Sequence, residues 1–167
     1  DAATGRATYF SKYDIVRDDY RAVMASCALP GFCRPVKVGD RYYYDGGVAD
    51  SIPLHHAIEQ GCTKMVVILS NPRNFVKKPE AHRPLYKHML HKYPKTIQSI
   101  DNRHINYQAS IDLASRLEKE GYVFIFAPSR HMPLSTFSKD AALEQDLYDL
   151  GVADYEARAE ELKHFLN

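Results

Sequence analysis

Two uninterrupted apolar runs stand out along the chain, at residues 65–69 and 122–127. Both are rich in β-branched or aromatic residues, which is typical of strands buried on both faces in a mostly parallel sheet. Between them, from Thr96 onward, apolar positions recur every three or four residues, which predicts a long amphipathic helix ending at Gly121. A strand, a helix and a strand in this order form a βαβ unit, so the pattern predicts an α/β fold.

Shorter patterns predict the remaining elements. They are a strand at 7–10, a helix at 13–28, a hairpin of 34–38 with 41–44 around Gly39-Asp40, a helix at 54–60, a helix at 84–93, and two helices within 138–167 that meet near Gly151. For the helix at 54–60, Ser51 is the N-cap candidate, Pro53 lies in the first turn and Gly61 follows the last residue.

The composition is that of an ordinary globular chain and limits its partners. With 167 residues and a mass of 19.1 kDa, the chain is long enough for one domain with a substantial core. The apolar share of 45% and the charged share of 26% are both typical. A formal net charge of +1 gives no electrostatic argument for binding nucleic acid or an acidic membrane surface.

Cysteine usage bears on the compartment. The 3 cysteines are an odd number without the spacing of a metal site, which favours a reducing environment. No signal peptide is visible at the start of the sequence, and the apolar runs are too short to span a bilayer. A cytoplasmic location is therefore the expectation.

The candidate chemistry lies at residues 41–53, where a short aromatic strand stops at Asp45-Gly46-Gly47. Two glycines after an acidic residue allow a positive φ or the close approach of another group. The Asp45 carboxylate is therefore expected at the end of a strand, on a tight turn, with little bulk beside it. Loops on a rigid scaffold often carry function, although an ordinary Asp-Gly turn accounts for the same residues.

Three consecutive segments carry a family resemblance: the Ala-Ser-Cys-Ala-Leu-Pro run that opens residues 25–36, the strand and turn at 41–53, and the apolar strand at 64–70. Their order resembles the C-terminal half of the patatin-like phospholipases, which are lipid acyl hydrolases with a Ser–Asp dyad. The nucleophile of that family sits in a G-x-S-x-G elbow behind a Gly-rich oxyanion loop. Neither pattern occurs in this chain.

The resemblance implies a three-layer α/β sandwich around a mostly parallel sheet, here as an incomplete domain. Residues 1–167 are then the C-terminal part of a single patatin-like domain, with a core motif at 25–70 and a helical tail at 138–167. The missing N-terminal half of the same domain is the expected partner of this chain.

The resemblance also implies roles for the residues of the turn. Asp45 is the general base that accepts the proton of the serine hydroxyl, while Gly46 and Gly47 keep the turn tight. The nucleophilic serine is not in this chain, so the chain alone is expected to be inactive. The implied substrate is a lipid or another carboxylic ester, with a transient membrane-surface contact left open. No cofactor, metal or nucleic acid is implied. The alternative is a degenerate, non-catalytic α/β binding or structural module.

Other reactive side chains are weaker candidates for a nucleophile or a metal ligand. Ser26 lies where small residues more often let a helix pack closely against a sheet. Cys27 is expected to be buried and inert. His55 and His56 are adjacent on a helix and point about 100° apart, which is poor geometry for holding one metal ion.

The basic stretch at residues 77–95 has two interpretations. Its aromatic residues among positive charges would suit a lid or a phospholipid-headgroup contact. The simpler interpretation, which also covers His88 and His91, is an exposed helix with a mixed, solvated surface.

Overall fold

The computed structural model describes residues 1–133 and 139–167. Its helices and strands are α1 (Arg21–Ser26), β1 (Val36–Val38), β2 (Arg41–Tyr43), α2 (Leu54–Glu59), β3 (Met65–Ile68), α3 (Arg83–Met89), α4 (Pro94–Lys119), β4 (Val123–Phe126) and α5 (Ala141–Leu166). The chain forms two compact units. The first unit comprises Asp1–Pro53 and Lys77–Ser110, and the second comprises Leu54–Val76 and Ile111–Asn167.

The first unit contains the predicted hairpin. β1 and β2 are antiparallel, with Val36 opposite Tyr43 and Val38 opposite Arg41. Gly39 turns the chain with a φ of +57°, a conformation that glycine adopts without steric cost. The core of this unit contains Val48, Leu90, Ile97 and Ile100, with Tyr44 and Tyr86 packed against it.

The beginning of the chain joins α4 to the hairpin. Thr96 Oγ1 donates to the Ala2 carbonyl at 2.8 Å, and Ser99 Oγ donates to the Gly5 carbonyl at 2.7 Å. Ala2 in turn donates its N–H to the Tyr42 carbonyl at 2.8 Å. These bonds fix the start of α4 next to β2 and therefore next to the turn that follows β2.

The second unit contains the predicted βαβ strands. β3 and β4 pair in parallel over four residues each, which confirms both strands and their order along the chain. One side of β4 is covered by α5, because the Phe124 and Phe165 rings lie 5.7 Å apart and the Phe126 and Tyr155 rings 6.0 Å apart.

Charged side chains bond to the backbone of Ile125 at the edge of β4 that β3 does not pair with. Ile125 donates its N–H to Glu118 Oε1 at 3.2 Å, and its carbonyl accepts from Arg73 Nη2 at 2.9 Å and Arg158 Nη1 at 2.7 Å. An unpaired strand edge is a template for pairing with another chain. Three charged side chains close it here.

One face of β3 is exposed, so the expectation of a strand buried on both faces is wrong. Val67 is buried, whereas Val66 is 41% exposed and Ile68 is 79% exposed. Alternate residues of a strand point to opposite faces of its sheet. Among the described residues, the Val67 face of β3 is therefore buried and the Ile68 face is open.

Two N-terminal predictions are wrong. Residues 7–10 pair with no strand in the described part of the chain, and a strand needs a partner for its ladder of hydrogen bonds. The helix predicted at 13–28 begins only at Arg21, because Asp18 has a φ of +66°, which a right-handed helix does not accommodate.

The C-terminal region differs from its prediction as well. Ser138 lies outside the described residues. From Ala141 to Leu166 the chain is one helix, not two helices meeting at Gly151. Its N-cap is Asp140, whose carboxylate accepts the N–H groups of Ala142 and Leu143 at 3.1 Å each. A single glycine inside a helix costs about 1 kcal/mol, which a helix of this length can absorb.

The helix predicted at residues 54–60 is confirmed as α2, but its predicted N-cap is wrong. Gly61 follows the helix with a φ of +83°, as a C-terminal glycine should. Ser51 instead directs its hydroxyl to the Gly47 carbonyl at 2.7 Å, so it cannot cap α2, which starts three residues later at Leu54.

Mixed helices and small sheets place the chain in the α/β class, and the described residues form one antiparallel and one parallel pair of strands. The finer expectation of a three-layer patatin-like sandwich is not confirmed by these pairs. The assignment of residues 1–167 to one domain, with its core motif at 25–70, stays a prediction.

Candidate functional site

Asp45 lies at the point where β2 gives way to a single 3₁₀ turn, Gly46–Val48. Its backbone N–H donates to the Ala28 carbonyl at 2.9 Å, which holds the residue against the segment after α1. Its carboxylate caps the turn, because Oδ1 accepts the Gly47 N–H at 2.7 Å. The strand, the turn and the carboxylate therefore occur as the sequence predicts.

The second carboxylate oxygen of Asp45 is available for chemistry. The side chain is half-buried, and no residue in the described part of the chain donates a hydrogen bond to Oδ2. An oxygen of this kind can accept a proton from a hydroxyl group placed beside it. The Gly47 N–H on Oδ1 meanwhile fixes the direction in which Oδ2 points.

Gly47 is held through both of its backbone polar groups. While its N–H is bonded to Asp45, its carbonyl accepts from Ser51 Oγ and from Arg103 Nε, each at 2.7 Å. Arg103 comes from α4, and its Nη1 donates to Glu80 Oε1 at 3.0 Å. The turn that carries Asp45 is therefore fastened to a helix nearly sixty residues further along the chain.

Close approach, not a positive φ, is what disfavours a larger residue at position 47. The glycines with positive φ lie elsewhere in the described chain. A Cβ at position 47 would lie 3.1 Å from Asp45 Oδ1 and 3.5 Å from Arg103 Nη2. At Gly46 a Cβ would meet only Ser26 Oγ, at an ordinary 3.8 Å. The two glycines are thus unequal, which the sequence does not reveal.

Ser26 is beside the turn but is not paired with Asp45. It is exposed at the end of α1, and no hydrogen bond joins its hydroxyl to Asp45 within the described residues. Its neighbours Ala25 and Ala28 are buried at 2% and 3% exposure, which fits the expected close packing of small residues. Cys27 is exposed, so the expectation that it is buried is wrong.

The histidines of α2 do not converge on a metal. His55 is exposed, while His56 is half-buried with Nδ1 3.8 Å from Glu59 Oε2. Over residues 1–133 and 139–167, no group of three or more His, Cys, Asp or Glu side chains could hold an ion.

Part of the basic stretch is paired with one acid of α4, Asp101. Arg83 makes two bonds to the Asp101 carboxylate at 2.8 and 2.7 Å, and the Tyr86 hydroxyl donates to the same carboxylate at 2.6 Å. The Arg83 and Tyr86 bonds lower the pKa of Asp101. Burial and the Asp101 bond raise the pKa of Tyr86 to about 12. This part of the stretch is therefore a helix, α3, bonded to α4 through Asp101, more than a free basic surface.

Sequence reasoning missed Arg103, Glu80 and Asp101. The available signal was weak. Arg103 is one of three consecutive polar residues between Ile100 and His104 of the predicted helix, where a charged residue is ordinarily solvated. Its target is a backbone carbonyl, which leaves no trace in a sequence.

None of the described helices combines the length and apolar character that crossing a bilayer requires.

Comparison with known proteins divides the chain in two. Residues 7–58 match the patatin-like phospholipase family model, and residues 93–167 match a second model, described as a domain of unknown function (DUF6363). A curated relative, "Uncharacterized protein YjjU" of Escherichia coli (strain K12), is 30% identical over 135 residues. That alignment covers 77% of this chain and 37% of the relative, so the chain spans little more than a third of its length. No solved structure matches.

These matches support the resemblance only in part. The patatin-like match contains Asp45, Gly46 and Gly47, but it ends at residue 58. It does not support the prediction that the whole chain is the C-terminal portion of a patatin-like domain, because the match lies at the N-terminal end and a different model matches residues 93–167. Arg103 falls within the segment of unknown function.

Proposed function

We propose that residues 7–58 supply Asp45 as the general base of a Ser–Asp dyad in a patatin-like lipid acyl hydrolase. One observation carries the proposal: the Asp45 carboxylate is oriented through Oδ1 by the Gly47 N–H, while Oδ2 accepts no hydrogen bond from any described residue. The match of residues 7–58 to the patatin-like phospholipase model supports the choice of reaction.

The proposed reaction uses Oδ2 of Asp45 as the proton acceptor. A serine hydroxyl beside Oδ2 attacks the ester carbonyl carbon, and its proton passes to Asp45 as the new C–O bond forms. Backbone N–H groups near the serine stabilise the oxyanion. The intermediate collapses, the C–O bond to the alcohol breaks, and the alcohol leaves with the proton from Asp45. Water then hydrolyses the acyl-enzyme with Asp45 again as the base.

The serine and the oxyanion donors are proposed to come from polypeptide outside these 167 residues, in the same natural chain or in a partner. The chain contains no G-x-S-x-G elbow and spans 37% of its curated relative. The uncovered face of β3, with Ile68 at 79% exposure, offers an apolar surface for further structure to cover. The substrate is proposed to be a lipid or another carboxylic ester, contacted at a membrane surface where it is a phospholipid. A cytoplasmic location stays a prediction.

The test replaces Asp45 by asparagine in a protein that also contains the serine. Asparagine can still accept the Gly47 N–H, so the turn is kept while the base is lost. The matched control is Asp40→Asn, an exposed aspartate that follows a glycine in the hairpin turn. Hydrolysis of a p-nitrophenyl ester and of phospholipid vesicles is expected to fall by about 100-fold or more for Asp45→Asn and to be unchanged for Asp40→Asn.

The second candidate is a non-catalytic α/β module, favoured by the Asp45–Gly47 bond itself, since a purely structural turn uses the same bond. It predicts equal activities for Asp45→Asn and wild type. That result would overturn the catalytic proposal.

A further inference from the structure

Arg103 is the contact between α4 and the turn that carries Asp45. Its Nε donates to the Gly47 carbonyl at 2.7 Å, and its guanidinium side chain is 28% exposed. The Gly47 N–H donates to Asp45 at the same distance. Arg103 therefore holds the peptide group that follows Gly47, while the peptide group that precedes Gly47 donates to the Asp45 carboxylate.

The ion pair of Arg103 is made with Glu80 and not with Asp45. Glu80 accepts from Arg103 Nη1 at 3.0 Å, and Lys77 Nζ lies 3.4 Å from the same carboxylate oxygen. No ion pair joins Arg103 to Asp45 among the described residues. A direct pair would occupy Oδ2 and remove it from chemistry, whereas this arrangement holds the turn and leaves that oxygen open.

The space around Gly47 shows how closely the three groups fit. A Cβ on Gly47 would be 3.1 Å from the Asp45 carboxylate and 3.5 Å from Arg103 Nη2. The carboxylate and the guanidinium therefore pack on the same side of this residue. Both groups are bonded to the backbone of Gly47, so a change in the position of either is expected to disturb this residue.

From these contacts we infer that Arg103 is a positioning residue for Asp45, and that the α4 segment of the domain of unknown function supports the patatin-like site through it. The inference rests on the proposed function for its catalytic consequence only. The physical clamp, Arg103 on the Gly47 carbonyl, exists in this chain by itself.

The clamp is tested in this chain by amide hydrogen exchange at Gly47. Arg103→Ala is expected to speed exchange of the Gly47 N–H by about 10- to 100-fold, because a charged hydrogen bond that orders the turn is lost. Arg103→Lys is expected to fall between this variant and wild type, since one ammonium cannot reproduce the planar fork. Arg83→Ala is the matched control, because Arg83 also binds a residue of α4, Asp101, but makes no hydrogen bond to the turn within the described residues. The Gly47 N–H should exchange at the wild-type rate in this variant.

Two exchange results would overturn the inference. One is an unchanged Gly47 rate in Arg103→Ala. The other is an equal acceleration at Gly47 and across the interior of α4, because the arginine would then contribute general stability alone. If Arg103→Ala fails to fold, the same comparison is decided with Arg103→Lys.

Activity gives the second readout, in the serine-containing protein. Arg103→Ala is expected to lower kcat by about 10- to 100-fold with KM unchanged, because the base is displaced while the substrate site is intact. A raised KM with unchanged kcat contradicts a positioning role. If Asp45→Asn leaves hydrolysis intact, the proposed function fails, while exchange at Gly47 still decides whether the clamp exists.

Discussion

Each of the two compact units uses arginine to hold a backbone carbonyl, but for different ends. In the first unit, Arg103 holds the Gly47 carbonyl next to a carboxylate with an open oxygen. In the second unit, Arg73 and Arg158 both donate to the Ile125 carbonyl at the edge of a strand. The same donor and acceptor types thus hold the turn after Asp45 in one unit and the edge of β4 in the other.

The two units differ in the hydrogen bonds that their carboxylates, Glu118 and Asp45, accept. Glu118 accepts two bonds from Arg73, at 2.6 and 2.7 Å, and one from the Ile125 N–H. The Glu118 carboxylate is thus bonded to Arg73 and to the strand backbone. These bonds lower the pKa of Glu118, and the Arg73 bond lowers it most. Asp45 accepts a single neutral bond and no arginine. A saturated carboxylate stabilises structure, and an unsaturated one can accept a proton.

After the loss already expected for Asp45→Asn, the largest effects in this comparison include that of Gly47→Ala in the serine-containing protein. The new methyl group would be 3.1 Å from Asp45 Oδ1, so either the carboxylate or Arg103 has to move, and activity should fall by about 10- to 100-fold. Gly46→Ala is the matched control, because its methyl group meets only an ordinary contact. Steady-state ester hydrolysis measures both. Equal activities would contradict the tight fit inferred at Gly47.

In the second unit the corresponding change should affect stability. Glu118→Gln weakens the bonds to Arg73 and Ile125 and is expected to cost about 1–2 kcal/mol, limited by partial exposure of the pair to solvent. Glu120→Gln, an exposed glutamate two residues later, should cost close to nothing. Urea unfolding near pH 7 gives both values. A loss of hydrolysis without a loss of stability in Glu118→Gln would break the comparison between the units.

The pH dependence sharpens the same point. Because the folded pKa of Glu118 is lowered, its contribution is fully present above its ordinary value of 4.5 and is lost as pH falls through the folded pKa. The stability gap between wild type and Glu118→Gln should therefore shrink below about pH 4.5. Urea titrations from pH 7 to pH 3 follow it. A gap that widens on acidification would contradict the depressed pKa.

The smallest effect is a gain, from Gly151→Ala in α5. A Cβ there meets nothing within 4 Å, and alanine is favoured over glycine inside a helix by about 0.5–1 kcal/mol. The midpoint temperature of thermal unfolding should therefore rise for Gly151→Ala. It should fall for Gly61→Ala. Gly61 has a φ of +83°, so alanine there should destabilise in spite of equal open space.

Local patterns in the sequence were sufficient for several elements. The β3 and β4 strands follow from uninterrupted apolar runs, the hairpin from Gly39-Asp40, and α4 from its three- and four-residue spacing. Each depends on interactions within a few residues or on a period that the chain displays directly. The Asp45 turn belongs with them, because a carboxylate that caps its own second neighbour is a local hydrogen bond.

The failed predictions needed information from elsewhere in the chain. Residues 7–10 have strand composition, but whether they form a strand depends on a partner. Gly151 suggested a break, but the remaining residues of a 26-residue helix outweigh one glycine. Exposure of Ile68 depends on what covers a sheet, which the strand's own residues do not specify.

The sequence by itself determined the α/β class, the main strands and helices, and an acidic residue at the end of a strand before two glycines. Only the tertiary structure decided which carboxylate oxygen stays open, which glycine is needed, and which arginine holds the turn. The physical reason is the distance along the sequence over which each interaction acts. Capping and amphipathic spacing act within a few residues, whereas Arg103 reaches Gly47 across 56 positions of sequence through a hydrogen bond to a carbonyl that every residue possesses.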